Sequence, residues 1–374
     1  MPYTHDSLKF ITLSRAPGLN IAILSTALDL LGGVQCLLAA SSDAQTRAGI
    51  PATTRAFLQS ASAIPTPSEL GWLEAPHHHL VSFTDPRYPP LLRSLAQAPI
   101  ALYVDGNIEV LSEPGLAIVG SRNPTAQGRD NAFEFAKYLA SRGLTIISGL
   151  AEGIDTAAHR GALAAQGTTI AVLGCGLDSI YPPSNQFLSR EIAQSGALIS
   201  EFAWGTPPRA AHFPQRNRII AALSLGTLVV EAARQSGSLI TARLAGEVGR
   251  EVFAIPGSIH NPLSRGCHQL IRQGAKLTET AADILGELNF SMFFGDDPKS
   301  TKHVAASSIP EAGMDKDHKI LLDALGFDPT DLDQLVVRSG FKADAVSSMM
   351  LILELEGHVK AAPGGRYSRI ARSF

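Results

Sequence analysis

The sequence predicts an α/β protein: a Rossmann-like, doubly wound parallel sheet, with a small helical domain before it and a winged helix after it. Three observations predict this. Short apolar runs recur at 116–119, 144–147, 169–173, 197–200, 227–231 and 251–255, with amphipathic segments between them. Continuous apolar runs alternating with helices are the pattern of a parallel sheet covered on both faces, and right-handed crossovers then wind it doubly. Before these runs the chain breaks into short helical stretches, and after them three helical stretches lead into a hairpin pattern.

The division follows composition. Residues 1–83 read as short helices separated by turn residues, residues 84–290 as the α/β domain, 291–314 as a Ser-, Pro- and Asp-rich linker, and 315–374 as the winged helix. In the first part, Ala16-Pro17-Gly18-Leu19-Asn20 joins two helical segments in the manner of a degenerate helix-hairpin-helix, which presents amides to phosphate. A helical cap without a ligand is the preferred alternative there, because Asn20 stands where the motif has its second glycine.

Composition bounds the function. With 374 residues, 45% hydrophobic and 17% charged, the chain buries a large core and is not globally disordered. A net charge of −3 does not announce a nucleic-acid binder, so local charge placement must carry that case. Cys36, Cys175 and Cys267 lie far apart and make neither a zinc site by themselves nor a secreted disulfide scaffold. No leader pattern opens the chain and no apolar run approaches bilayer-spanning length, so a cytoplasmic protein is expected, with no membrane contact.

In a parallel sheet, ligands gather at the carboxyl ends of the strands. The first such loop holds Gly120, Ser121 and Arg122: a turn that approaches a ligand closely, a hydroxyl beside helix amides, and a planar fork suited to phosphate. The second runs from Ser148 and Gly149 to Gly153, with Asp155 placed to cap the next helix. The third, Gly174-Cys175-Gly176, imitates a dinucleotide fingerprint. Ser179 replaces its last glycine, and Tyr181-Pro182-Pro183 displaces the helix that fingerprint requires, so no nicotinamide cofactor is expected.

The fourth loop is the most informative. From Phe202 to Val230 there is no acid, yet Arg209, Arg216 and Arg218 are present, with Phe213 and Asn217 among them. Arginines take phosphates and a ring stacks on a base, so this stretch suits a nucleic-acid strand. In the fifth loop Ser236-Gly237-Ser238 opens a helix as a further anion nest, and Pro256-Gly257-Ser258 continues the rim. There is no P-loop and no nucleophile elbow. His77-His78-His79, Pro-flanked and without cysteine partners, reads as a solvated connector rather than a metal site, and His159 and His212 as loop-holding hydrogen-bond partners. Taken alone, these residues support an extended anionic ligand, with no metal and no cofactor.

Several ordered motifs resemble the DNA-processing protein A (DprA, or Smf) family: Tyr88-Pro89-Pro90-Leu91, Ile118 to Arg122, Ser148 to Asp155 with Ala158-His159, Ala171 to Asp178 with Tyr181-Pro182, Phe213 to Ile220, Ser236 to Thr241, and Pro256-Gly257. The resemblance covers about residues 84–280. It implies a non-enzymatic protein that binds and protects incoming single-stranded DNA, loads the RecA recombinase onto it during natural transformation, and forms homodimers through the Rossmann-like domain. It implies that Arg122 and the 209–218 segment with Phe213 line the DNA groove, bordered by Ser236-Gly237-Ser238, with one arginine of the segment anchoring structure instead. It also likens residues 1–83 to a sterile-alpha-motif domain. A different class, the LOG-type nucleoside monophosphate phosphoribohydrolases, shares the fold but carries a Glu after its Gly-rich loop; here no acid follows Ser236 until Glu247.

The segment 342–356 offers one Lys against three acids, which is poor for a DNA-reading helix, whereas Lys360, Arg366, Arg369 and Arg372 are unaccompanied by acids. The winged helix is therefore expected to make protein contacts or to pack on the core, with a wing that touches nucleic acid weakly.

Overall fold

The computed structural model describes residues 5–60, 63–288, 315–326, 329–362 and 364–370, which fall into two compact units divided near residue 290. The segment read as a linker, 291–314, lies outside the described residues, as does Arg372.

The first unit opens with six helices: α1 (His5–Arg15), α2 (Ile21–Leu31), α3 (Val34–Ala39), α4 (Ser42–Arg47), α5 (Ala52–Leu58) and α6 (Pro67–Leu73). Asn20 caps α2, its side chain accepting from Ile23 N at 2.9 Å, and Gly32, at φ 83°, ends it in the left-handed conformation that a side chain disfavours. Phe10, Ile11 and Leu13 of α1 are buried in one cluster with Leu80 and Leu102 of the sheet, so this helical layer shares its core with the sheet. A buried polar link reinforces the joint: Glu69 of α6 pairs with Arg15 of α1 and accepts from the Tyr103 hydroxyl at 2.6 Å.

The sheet has nine strands: β1 (His78–Ser82), β2 (Ala101–Gly106), β3 (Gly115–Val119), β4 (Thr145–Ser148), β5 (Thr169–Val172), β6 (Ala197–Ser200), β7 (Gly226–Val229), β8 (Glu251–Ala254) and β9 (Lys276–Leu277). Their order is β1-β2-β6-β5-β4-β3-β7-β8-β9, parallel from β6 to β9, with β1 and β2 added antiparallel at one edge. The six expected runs are β3 to β8. Two differences from the sequence reading stand out. The stretch read as wholly helical ends in strand β1, which starts within the His run, so that run is not a solvated connector: His78 stacks on Trp72 at 4.1 Å and bonds the Trp72 carbonyl at 2.7 Å. The sheet is also mixed, because β2 meets β6 head to tail.

Among the described residues, seven further α-helices follow: α7 (Ala126–Ser141), α8 (Ile154–Ala164), α9 (Gln186–Ser195), α10 (His212–Leu223), α11 (Gly237–Glu247), α12 (Arg265–Arg272) and α13 (Ala281–Glu287). They cover both faces. Alternate β3 residues divide accordingly: Leu116 and Ile118 join Phe135 and Leu139 of α7, while Ala117 and Val119 join Ile219 and Leu223 of α10.

The second unit holds α14 (Lys316–Leu325), β10 (Thr330–Asp331), α15 (Leu332–Ser339), α16 (Ala343–Leu355), β11 (Val359–Ala362) and β12 (Arg366–Arg369). The sheet order β10-β12-β11 and a core of Leu321, Leu335, Val346, Met350 and Leu353 make it a winged helix, with β10 an addition to the elements read from sequence. Of the wing cations, Arg369 lies 3.5 Å from Asp323 and Lys360 has an interaction partner, whereas Arg366 is exposed.

Candidate nucleic-acid interface

Strand order reverses at β3, which has β4 on one side and β7 on the other, so the topological switch point lies between the carboxyl ends of β3 and β7. A crevice of about 520 Å³ opens there, walled by Arg122, Phe213, Asn217, Ser236, Gly237 and Ser238, with Tyr181 at its side.

The β3 loop is locked before any ligand arrives. A Cβ on Gly120 would stand 2.6 Å from Ile154 and 2.9 Å from the Glu231 carbonyl, so only glycine fits. Ser121 N donates to Glu231 O at 2.7 Å, Ile154 N donates to Ser121 O at 3.1 Å, and Ser121 Oγ accepts from Asn123 N at 3.1 Å. The buried Glu231 carboxylate accepts from Thr125 N at 2.9 Å and from Thr125 Oγ1 at 2.6 Å. This corrects the expected anion nest: the start of α7 already has its carboxylate, and Ser121 spends its hydroxyl on the turn. What the loop offers outward is Arg122, exposed and in no ion pair among the described residues, its guanidinium carbon 5.6 Å from the centre of the Phe213 ring.

The β4 loop forms the floor. Asp155 is not a helix cap; Gly153 precedes α8, and the buried Asp155 carboxylate accepts from Gly149 N at 3.0 Å and Ala151 N at 3.4 Å. Burial pushes its carboxyl pKa up, opposed by the charge of Arg216. Gly149 is itself buried, and a Cβ there would meet the Arg216 guanidinium at 2.5 Å. Its lack of a side chain makes room for the Arg216 guanidinium.

The arginines of 209–218 separate by environment. Arg216 is 5% exposed; its Nη1 donates to the carbonyls of Gly149, at 2.8 Å, and Val172, while Nε donates to Asn217 Oδ1 at 3.1 Å. Burial lowers its pKa to about 10, a value that still leaves it charged at neutral pH. Arg218 is paired with Glu201, the acid just before the acid-free stretch, and both side chains are largely covered. Both are engaged within the protein: Arg216, which also lines the crevice, ties the floor together, and Arg218 ties α10 to the end of β6. Arg209 is exposed and stands outside the crevice wall, between the wall residues Pro208 and Ala210.

Phe213 begins α10 half-buried, pressed on Gly174, where a Cβ would stand 2.9 Å from its ring. Tyr181, 41% exposed, lies against it with ring centres 5.5 Å apart. Tyr181 went unselected in the sequence because its loop was weighed as a failed dinucleotide fingerprint. The same Tyr181-Pro182-Pro183 that displaces the helix delivers the ring to Phe213. Opposite, Ser236 caps α11, its Oγ 2.6 Å from Ser238 Oγ, and Asn217 Nδ2 reaches Gly237 O at 3.5 Å. His212 stacks on Phe202 at 4.3 Å and bonds Gly174 O at 3.2 Å. His159, fully buried and bonded to Thr169 Oγ1 at 2.7 Å, has its pKa driven down to about 3 by burial and the charge of Arg216. Both hold loops. Among the described residues no cluster of three or more His, Cys, Asp or Glu is placed to hold a metal, and no helix is long and apolar enough to cross a membrane.

Comparison with known proteins agrees with this architecture. The model of the DNA recombination-mediator protein A family matches residues 79–289, and that of the DprA winged helix domain matches 305–365. Protein Smf of Escherichia coli is 44% identical over 313 residues, covering 82% of this chain and 81% of its own. DNA processing protein DprA of Streptococcus pneumoniae is 48% identical over 209 residues, covering 56% and 74%. The X-ray structure of DprA from Streptococcus pneumoniae superposes with a TM-score of 0.65 at 38% identity, covering 77% of this chain and 99% of that one. DNA processing protein A from Helicobacter pylori, solved for its single-stranded DNA binding mode, gives 0.52 at 31%, covering 57% and 98%. The α/β domain is thus matched in sequence and in fold, a winged-helix family matches the end of the chain in sequence, and the chain belongs to the DNA recombination-mediator protein A (DprA/Smf) family.

Proposed function

We propose that the switch-point crevice binds single-stranded DNA, with Arg122 taking a backbone phosphate and Phe213 stacking on a base. The observation that carries this reading is the exposed Arg122 guanidinium beside the Phe213 ring, at a crevice whose other wall is the Ser236-capped start of α11. Charge and an aromatic face together suit a flexible strand whose bases are free to stack; a duplex hides those faces. The DNA-binding Helicobacter pylori relative, 31% identical, supports the same ligand here. A gel shift with matched single- and double-stranded oligonucleotides across a salt series tests it, and equal affinity for both would refute it.

The reading is non-enzymatic. The acid nearest the crevice, Asp155, is committed to two backbone amides, and Glu247 sits at the far end of α11, 3.5 Å from Arg243. A phosphoribohydrolase needs a carboxylate at the sugar, and release of free base from a nucleoside monophosphate would reinstate that alternative. Family membership further supports a cytoplasmic homodimer, joined through the α/β domain, that protects incoming single strands and loads RecA on them in transformation. Sedimentation of the full chain tests the dimer, and RecA filament assembly on coated single strands, with and without the protein, tests the loading.

A further inference from the structure

Beside the crevice lies a second groove of about 630 Å³, built from the first turns of α7 and α8, and the proposed function leaves it unused. Arg122 lines both, so the two basins meet at that side chain. The far groove adds Arg129 on α7 and Arg160 on α8. Both are exposed, and neither is held in an ion pair among the described residues. Phe133 lines the same groove, one helical turn beyond Arg129, and carries the Lys137 ammonium 5.9 Å from its ring centre. The groove therefore repeats the composition of the crevice, cations beside a half-covered aromatic face.

Two acids, Asp130 and Glu152, also line it, outnumbered by Arg122, Arg129 and Arg160; Glu152 accepts from Ser184 Oγ at 2.8 Å and Asp130 has an interaction partner. The junction is rigid. Gly153, at φ 81°, has the carbonyls of Ser121 and Arg122 within 2.5 Å of where a Cβ would be, so the loops carrying Arg122 and α8 are pressed backbone to backbone. This fixes the Arg122 backbone relative to Arg160, and the buried packing of α7 on α8 fixes Arg129.

We infer that this groove is a second phosphate subsite, along which a single strand leaving the crevice continues past Arg122 to Arg129 and Arg160. The inference rests on the proposed single-strand reading and deepens it: the crevice grips a few nucleotides, and the groove lengthens the footprint in one direction only. A strand is favoured over a compact anion because the two arginines flank an open trough continuous with the crevice, with an aromatic face in it.

The test uses the full chain and oligothymidylates of about 4 and about 16 nucleotides, the span that single-strand sites usually cover. The variant is Arg129→Gln with Arg160→Gln; both positions are exposed, and a thermal melt checks folding. Arg142→Gln, an equal loss of charge per site at the opposite end of α7, is the control. Expected is a roughly tenfold or greater loss for the long oligonucleotide only, with its log–log salt slope shallower by about 1.4, two contacts at about 0.7 each. The short oligonucleotide should bind as before. An unchanged long-oligonucleotide affinity and slope, while the parent protein binds both, overturns the groove and leaves the crevice standing. Equal losses for both lengths, or a matching loss in the Arg142→Gln control, also overturn it, since they report the general field of the protein. If the parent protein binds neither oligonucleotide, the single-strand reading falls, and the groove with it.

Discussion

Arg122 and Phe213 lie far apart in sequence, yet the Arg122 guanidinium carbon is 5.6 Å from the centre of the Phe213 ring. The loop after β3 and the first turn of α10 bring a charge and an aromatic face to the same edge of the sheet. Each is positioned by close neighbours: Glu231 and Gly153 behind Arg122, Gly174 behind Phe213.

Arg122→Ala removes a phosphate contact from an exposed side chain. Single-strand affinity should fall and its salt slope flatten by about 0.7, while thermal stability stays within about 0.5 kcal/mol of the parent. Fluorescence titration at several salt concentrations reads both quantities, and an unchanged slope would show that no phosphate sits there.

Phe213→Ala should cost about 1–3 kcal/mol of single-strand binding through lost stacking. The ring is half-buried, so some stability goes with it, and affinity must be measured on folded protein. Phe213→Trp, which keeps a stacking face, is expected to retain most of the binding.

Arg216→Met should unfold the domain more readily, by about 3–5 kcal/mol, because the buried Asp155 carboxylate loses its counter-charge and the Gly149 and Val172 carbonyls lose their donor. Arg209→Ala should leave stability within about 0.5 kcal/mol. Urea midpoints separate the two, and equal midpoints would deny Arg216 its anchoring place.

Gly153→Ala adds one methyl group and no charge. It strains a backbone at φ 81° and drives a Cβ into the Ser121 and Arg122 carbonyls, so Arg122 should be displaced and binding weakened several-fold. Retained affinity would show that Arg122 works without a fixed backbone.

His159 gives the fold a pH dependence of definite sign. Its folded pKa of about 3 lies below the unfolded value of 6.5, so between these values the unfolded chain binds more protons. Stability is therefore lost as pH falls through that window, at up to about 1.4 kcal/mol per pH unit from this group. His159→Gln should make the unfolding free energy less steep between pH 6.5 and 3 in urea titrations, and an unaltered slope would show that other groups carry it.

The sequence by itself determined the strand–helix alternation, because a parallel strand buried on both faces is largely apolar along its length and its crossover helix amphipathic. It also determined the loops that meet at the switch point, since their glycines and serines are local requirements of tight turns. Tertiary structure decided which polar groups in those loops are free. Arg209, Arg216 and Arg218 carry the same side chain within ten residues, yet one is exposed, one holds two buried carbonyls and one is paired with Glu201. Glu231 occupies the helix start that seemed open to phosphate, and Tyr181 joins Phe213 from a loop more than thirty residues earlier. A charge's partner is a matter of distance in space, and spacing along the chain does not encode it. The antiparallel edge of β1 and β2 was likewise decided by long-range pairing, which gives each strand its neighbour without marking its sequence as parallel or antiparallel.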